Sequence, residues 1–404
     1  MLGLFLSCCF LVPAWGMSDS TAKADTPAAE DFSFRPNDPL TLAGFNHFYN
    51  LEYDSAVRDF EQVLRRYPDD PFAINHLLTA VLFRELYRMG VLNTGEYAND
   101  SFIKASHLPP DPHVQSRVKD LVKKVFTIEQ NRLTANPNDV GVLYARGVTR
   151  AQFATYTALI EHAWFSALRN AVGARHDHER VLELSPGNTE AKLIVGAHNY
   201  VVGSLPWALR SAGAMAGLGG NKEKGLQMLR DCAIGRGETA VDAKILLVLF
   251  LRRERRYEEA LPLARGLIAT YPRNVLMALE EGNLLRADGK ADDATAIYRK
   301  IWQAGKEGHY PGTHYEIAAF SLADLLRDKK DYAGSAVAYE EAGEVPHPDT
   351  DTRQRAYLGA GEMYDLLNRR DLAVKKYQSV MAAGANTTLA DTASKCLKQP
   401  YQGQ

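Results

Sequence analysis

Cysteine is scarce in this 404-residue chain: of four, Cys8 and Cys9 sit in an apolar leader, leaving only Cys232 and Cys396. No Cys-x-x-Cys pair occurs, so neither a zinc ribbon nor a dithiol redox site is encoded at the usual spacing. Cys232 falls where a helix would place a small core residue, which predicts a buried free thiol. An excess of one charge is also missing. A formal net charge of -2 gives bulk electrostatics no pull toward nucleic acid. There is no Gly-x-Ser-x-Gly elbow and no His-Glu-x-x-His motif. His176-Asp177-His178 places two histidines two apart, whereas a helical ligand pair wants i, i+4, so a solvated surface turn is expected. His107 and His113 flank prolines and are expected in loops. Gly217-Leu218-Gly219-Gly220-Asn221-Lys222 lacks the Walker spacing, and no strand precedes it. No metal, cofactor or catalytic constellation is therefore expected. An enzyme would have to draw on residues scattered across the fold.

What is present begins with an apolar run over residues 2–16, ending Pro13-Ala14-Trp15-Gly16. It is shorter than the roughly 20 residues that span a bilayer, and predicts a signal peptide over 1–16 with cleavage near Ala14-Trp15-Gly16. No Lys or Arg precedes Lys23, so the usual basic n-region is lacking. Leu6-Ser7-Cys8 faintly resembles a lipobox. Residues 17–36, rich in Ser, Ala, Asp and Pro without period, are expected to form a disordered spacer.

The organising stretch is Thr239 to Gly308. Arg255-Arg256-Tyr257-Glu258-Glu259-Ala260 leads through Ala264, Leu267 and Tyr271 to Pro272; Asn274, Gly282, Ala294, Tyr298 and Ile301 follow in the next unit. Small residues where two helices meet, an aromatic a turn later and a terminating proline recur with a period of about 34 residues. Gly44, Ala56, Phe60 and Pro68 fit the same spacings, and Tyr53-Asp54-Ser55-Ala56 echoes Tyr257-Glu258-Glu259-Ala260. Ser335, with Tyr339 and Ala342, and Gly361, Tyr364, Ala373 and Tyr377 supply two more units.

On these residues the chain resembles the tetratricopeptide-repeat superfamily from about Asp38 to Met381, most closely an exported bacterial member. The middle segment, through Ser204-Leu205-Pro206, Gly225-Leu226 and Leu229, is loosely similar to an outer-membrane-associated branch of it. The resemblance implies an all-α, right-handed α-solenoid of about seven helical hairpins, some degenerate or carrying insertions. It implies N-terminal hairpins over 37–135 with a loop insertion at 90–112, degenerate long-helix hairpins over 136–238, regular hairpins over 239–381, and a capping helix and tail over 382–404. It also implies a concave groove, lined by first helices, that holds a segment of a protein partner. Carried over position by position, the groove takes Phe45, Phe48, Tyr49, Tyr144, Gln152, Leu193, Tyr200, Asn283, Arg286, Phe320, Asp324 and Arg327. A carboxylate clamp is not complete, because the basic residues that should accompany Asn283 are not all there.

Two segments between the regular units carry alternatives. Phe153, Tyr156, Ile160, Trp164, Phe165 and Leu168 form a stripe expected as core between two overlong helices, the other possibility being an exposed docking ridge. Val201 to Gly220, nearly uncharged and rich in Ala and Gly, serves close helix packing or contacts a membrane surface through Leu205 and Trp207. The function expected is a noncatalytic, envelope-located scaffold for protein interaction. The alternative is a membrane- or lipid-associated assembly factor using 201–220, and an enzyme ranks behind both.

Overall fold

The structure, a computed structural model, describes residues 32–92, 108–205, 219–346, 350–383 and 387–403. All its regular elements are helices. The chain divides after Glu254 into two compact units.

Unit 1 contains α1 (Pro39–Tyr49), α2 (Tyr53–Arg66), α3 (Pro71–Arg88), α4 (Pro112–Ala135), α5 (Val140–Leu159), α6 (Trp164–Leu184), α7 (Lys192–Gly203), α8 (Lys222–Ala233) and α9 (Glu238–Arg253). Three of these open on an Asp-Pro step. Asp38, Asp70 and Asp111 accept hydrogen bonds from first-turn amides, and the proline after each occupies a position whose N–H had no partner to lose. Unit 2 contains α10 (Tyr257–Thr270), α11 (Val275–Ala287), α12 (Ala291–Lys306), α13 (Glu316–Asp328), α14 (Tyr332–Gly343), α15 (Thr350–Leu366), α16 (Arg370–Ala382) and α17 (Thr387–Lys398). Within each unit every helix packs on its chain neighbours, as stacked hairpins do.

The packing explains the small residues. A Cβ on Gly44 would stand 2.6 Å from the Phe60 ring, on Gly282 2.4 Å from Tyr298, and on Gly361 2.6 Å from Tyr377. The same sequence interval separates each pair, so the glycine of a first helix receives the aromatic ring of the second. Ala56, Ala260, Ala294 and Ala373 are fully buried at the reciprocal contact. Ser335 takes that place in its hairpin, and its hydroxyl donates to the Ala323 carbonyl at 2.8 Å, which removes the cost of burying it. At the far end of unit 2, α17 packs Ala393 and Cys396 on Tyr377 and Val380. Arg370 holds it there, donating to the Cys396 and Leu397 carbonyls at 2.7 Å each.

Several expectations change. Of the 17–36 spacer, residues 32–36 are built into unit 1, where Phe32 is fully buried. Its aromatic side chain stabilises order that the surrounding composition argues against. His176-Asp177-His178 is not a surface turn but lies inside α6. Asp177 and His178 are buried there, and a Cβ on Gly147 would stand 2.0 Å from the His178 ring. The 153–168 stripe splits: Tyr156 and Ile160 are core, whereas Trp164 is 42% and Phe165 64% exposed at the start of α6. The signal peptide, the lipobox, His107, most of the 90–112 insertion and Trp207 lie outside the described residues.

Candidate interaction surfaces

Six of the twelve expected groove residues are packing residues. Phe45, Phe48, Tyr49, Tyr144, Leu193 and Tyr200 are each less than a tenth exposed. The first-helix face that carries them is covered within unit 1, so none is free to meet a partner. The Tyr49 hydroxyl lies 2.9 Å from both the Glu238 carbonyl and the Asp242 carboxylate. Tyr200 stacks on Phe250 with centroids 3.9 Å apart and donates to Glu254 at 3.0 Å. Gln152 is half-buried and bridges α5 to α3 by donating to the Thr79 hydroxyl at 3.0 Å.

Part of what covers that face is residues 32–36, a strap folded into a tight turn in which the Arg35 N–H donates to the Phe32 carbonyl at 3.3 Å and Phe34 has φ 51°. Phe32 sits 4.6 Å from the Tyr144 ring and 5.8 Å from Phe72, with the Arg35 guanidinium over both Phe32 and Phe72. The Phe32 N–H donates to Glu190 at 2.9 Å, the Ser33 hydroxyl to the same carboxylate at 2.7 Å, and the Phe34 N–H to Glu238 at 2.8 Å. His76 Nε2 lies 2.5 Å from the Arg35 carbonyl. Burial holds that imidazole down to about 4, so it is neutral and donates to the carbonyl. Burial also pushes the Glu238 carboxyl up to about 8, with Glu190 and Asp242 adding to it against the Phe34 amide. Sequence reasoning missed Glu190, Glu238 and the strap. The only signal was two aromatics, Phe32 and Phe34, inside a polar tract.

In unit 2, Phe320, Asp324 and Arg327 do come together. With Tyr339 of α14 and Arg355 and Glu362 of α15 they line an open cleft of about 280 Å³. The Arg355 guanidinium lies over the Phe320 ring at 4.7 Å, and Arg327 reaches Asp324 at 3.2 Å. Glu362 is raised to about 6 by burial, then by Asp324 and Asp365, with Arg327 pulling the other way. The cleft thus offers one aromatic surface between balanced charges. Asn283 and Arg286 lie outside it. Asn283 accepts from the Tyr298 hydroxyl at 2.8 Å, and Arg286 pairs with Asp328. A second cleft, of about 550 Å³ in unit 1, is lined by Lys123, Phe126, Arg146 and Arg150 among others. Its two arginines are already engaged by Asp177, at 2.5 Å and 2.8 Å.

Among the described residues, no group of three or more His, Cys, Asp or Glu could hold a metal ion, and no helix is long and apolar enough to cross a membrane. Leu205, expected at a membrane surface, is only 8% exposed; it follows α7, and its N–H donates back to the Val202 carbonyl at 3.2 Å.

Small residues seated against aromatics at one interval, in helices that pack chiefly on their chain neighbours, form stacked hairpins like those of tetratricopeptide repeats. No protein-family model and no curated protein matches the chain. Solved structures do match. The pilF protein of Pseudomonas aeruginosa aligns at 13% identity with a TM-score of 0.36, covering 62% of this chain and 97% of that one. The Cut9-Hcn1 hetero-tetramer of the APC/C aligns at 12% and 0.44, covering 91% of this chain and 56% of that one. A tetratricopeptide repeat protein from Parabacteroides merdae aligns at 13% and 0.29, covering 89% and 96%. All three scores lie below 0.5, and the assignment of the hairpins rests on their own packing.

Proposed function

We propose that the protein is a noncatalytic scaffold that docks a segment of another protein, and that the cleft between α13, α14 and α15 is where it does so. The convergence of Phe320, Asp324 and Arg327 with Arg355 and Glu362 carries this reading. An aromatic flanked by guanidinium and carboxylate groups suits a peptide or helix with an apolar anchor and polar flanks, since Arg supplies charge-assisted bonds and the ring supplies buried area. A stack of hairpins presents such groups already ordered, which lowers the entropy lost on docking. A place in the bacterial cell envelope is part of the proposal and is supported by the apolar, signal-like residues 2–16.

The test is site-specific photo-crosslinking in cells from Phe320 and from Arg355, with exposed Val337 of α14 as the control outside the cleft. A species captured at the first two positions and absent at Val337 is expected. Its purified form should bind an Arg327→Ala chain about tenfold more weakly than the wild type. Equal capture at Val337 would remove the cleft from consideration.

A further inference from the structure

We infer that the face of unit 1 holding residues 32–36 is a recognition site for turn-forming peptides of the pattern aromatic, small, aromatic, arginine, and that the chain's own Phe32-Ser33-Phe34-Arg35 occupies it as a tethered ligand. The inference stands on unit 1 alone and is independent of the cleft in unit 2.

The strap is gripped as a bound peptide would be. Amides of alternate residues, Phe32 and Phe34, are taken by two carboxylates, Glu190 and Glu238, and the next carbonyl by His76. Because the Arg35 N–H is taken by the segment's own Phe32 carbonyl, these main-chain contacts fit a chain folded into that turn, and side-chain pockets then select among such turns. The first pocket lies between Phe72 and Tyr144 and buries Phe32 completely. The second residue must be small, because it lies over Gly237: a Cβ there would stand 2.3 Å from the Ser33 hydroxyl oxygen and 2.7 Å from its Cβ. The third residue meets the edge of Phe45 at 5.7 Å. The fourth places its guanidinium 5.5 Å from the Phe72 ring centroid of the site, while folding over its own Phe32 at 5.4 Å. A partner with the same pattern would compete with the strap, whose tether gives it an effective concentration on the order of millimolar.

The contact between Gly237 and Ser33 makes a matched exchange possible in the full-length chain. Gly237 has φ -84° and ψ -177°, which alanine adopts freely, so Gly237→Ala blocks the resident strap through its Ser33. A labelled hexapeptide Phe-Gly-Phe-Arg-Pro-Asn, lacking the serine side chain, should then bind Gly237→Ala at least about tenfold tighter than wild type by fluorescence anisotropy. The serine version should show no such preference. Equal binding of the glycine peptide to both chains, or to neither, overturns the proposal. So does dimerisation of Gly237→Ala in place of peptide binding, which would assign the face to a second copy's strap. Should Gly237→Ala lose helical circular dichroism, Phe32→Ala serves instead. Addition of Phe-Ser-Phe-Arg-Pro-Asn should raise its melting temperature and leave that of the wild type unchanged, and no rise sinks the idea.

Discussion

The Tyr339 hydroxyl donates to the Asp324 carboxylate at 2.5 Å and so ties α14 to the wall of the unit 2 cleft. Burial first, and then the charge of Asp324, drives the phenol far above its ordinary range, so it stays a donor at any working pH. Tyr298 makes the corresponding bond to neutral Asn283 at 2.8 Å. Loss of the bond to a charged acceptor should cost more, roughly 1.5–3 kcal/mol for Tyr339→Phe against 0.5–1.5 kcal/mol for Tyr298→Phe. Urea denaturation measures both. Equal costs would mean that Arg327 already neutralises Asp324.

Two glycines of unit 2 should respond to alanine with opposite signs. At Gly282 the new methyl meets the Tyr298 ring at 2.4 Å, and overpacking should destabilise by roughly 1–3 kcal/mol. At Gly266, within α10, nothing lies within 4 Å, so Gly266→Ala should stabilise by roughly 0.5–1 kcal/mol through helix propensity. The shift in denaturation midpoint decides it, and a loss at both sites would contradict the hairpin contact described for Gly282.

Unit 1 should lose stability as pH rises from 6.5 to 8. Glu129 is fully buried, and burial raises its carboxyl to about 8 against the Thr149 hydrogen bond; Glu238 is raised to about 8 as well. A carboxyl raised on folding contributes stability that is complete below the unfolded value near 4.5 and is lost as pH climbs through about 8. His76 and His178, held down to about 4 by burial, act in the other direction and at lower pH: their contribution is present above 6.5 and lost as pH falls through about 4. Only the carboxyls therefore act between 6.5 and 8. Glu129→Gln should flatten the decline there, and a slope equal to that of the wild type would count against it.

Cys232 should be inert in the native protein. Burial pushes its thiol up to about 12, and Sγ lies 3.4 Å from the Thr239 carbonyl. Alkylation at pH 8 followed by peptide mass mapping should find Cys232 unmodified without denaturant and fully modified in urea. Rapid native labelling would show that unit 1 opens readily around α8.

The repeats were legible because their signal is local. A glycine that faces an aromatic, as Gly282 faces Tyr298, leaves its spacing in the sequence whatever lies around it. The surfaces were less legible, because which side of a first helix is covered depends on distant residues. Tyr144 and Phe320 each stand three residues before the small residue of their first helix, Gly147 and Ala323, yet Tyr144 is sealed by Phe32 while Phe320 faces a cleft. Residues 32–36 were hidden for a related reason. Their composition is that of a spacer, and rings, an imidazole and carboxylates far along the chain give them a fixed place.

That distance bears on how the chain is made. Phe32 and Glu190 are 158 residues apart, and Phe34 and Glu238 are 204, in a fold whose other contacts are mostly between neighbours. On the ribosome both phenylalanines emerge long before either carboxylate has been polymerised, at roughly 5–20 residues per second. For some ten seconds or more the amides of both phenylalanines lack their carboxylate acceptors, and that interval is when a holding chaperone would find this protein.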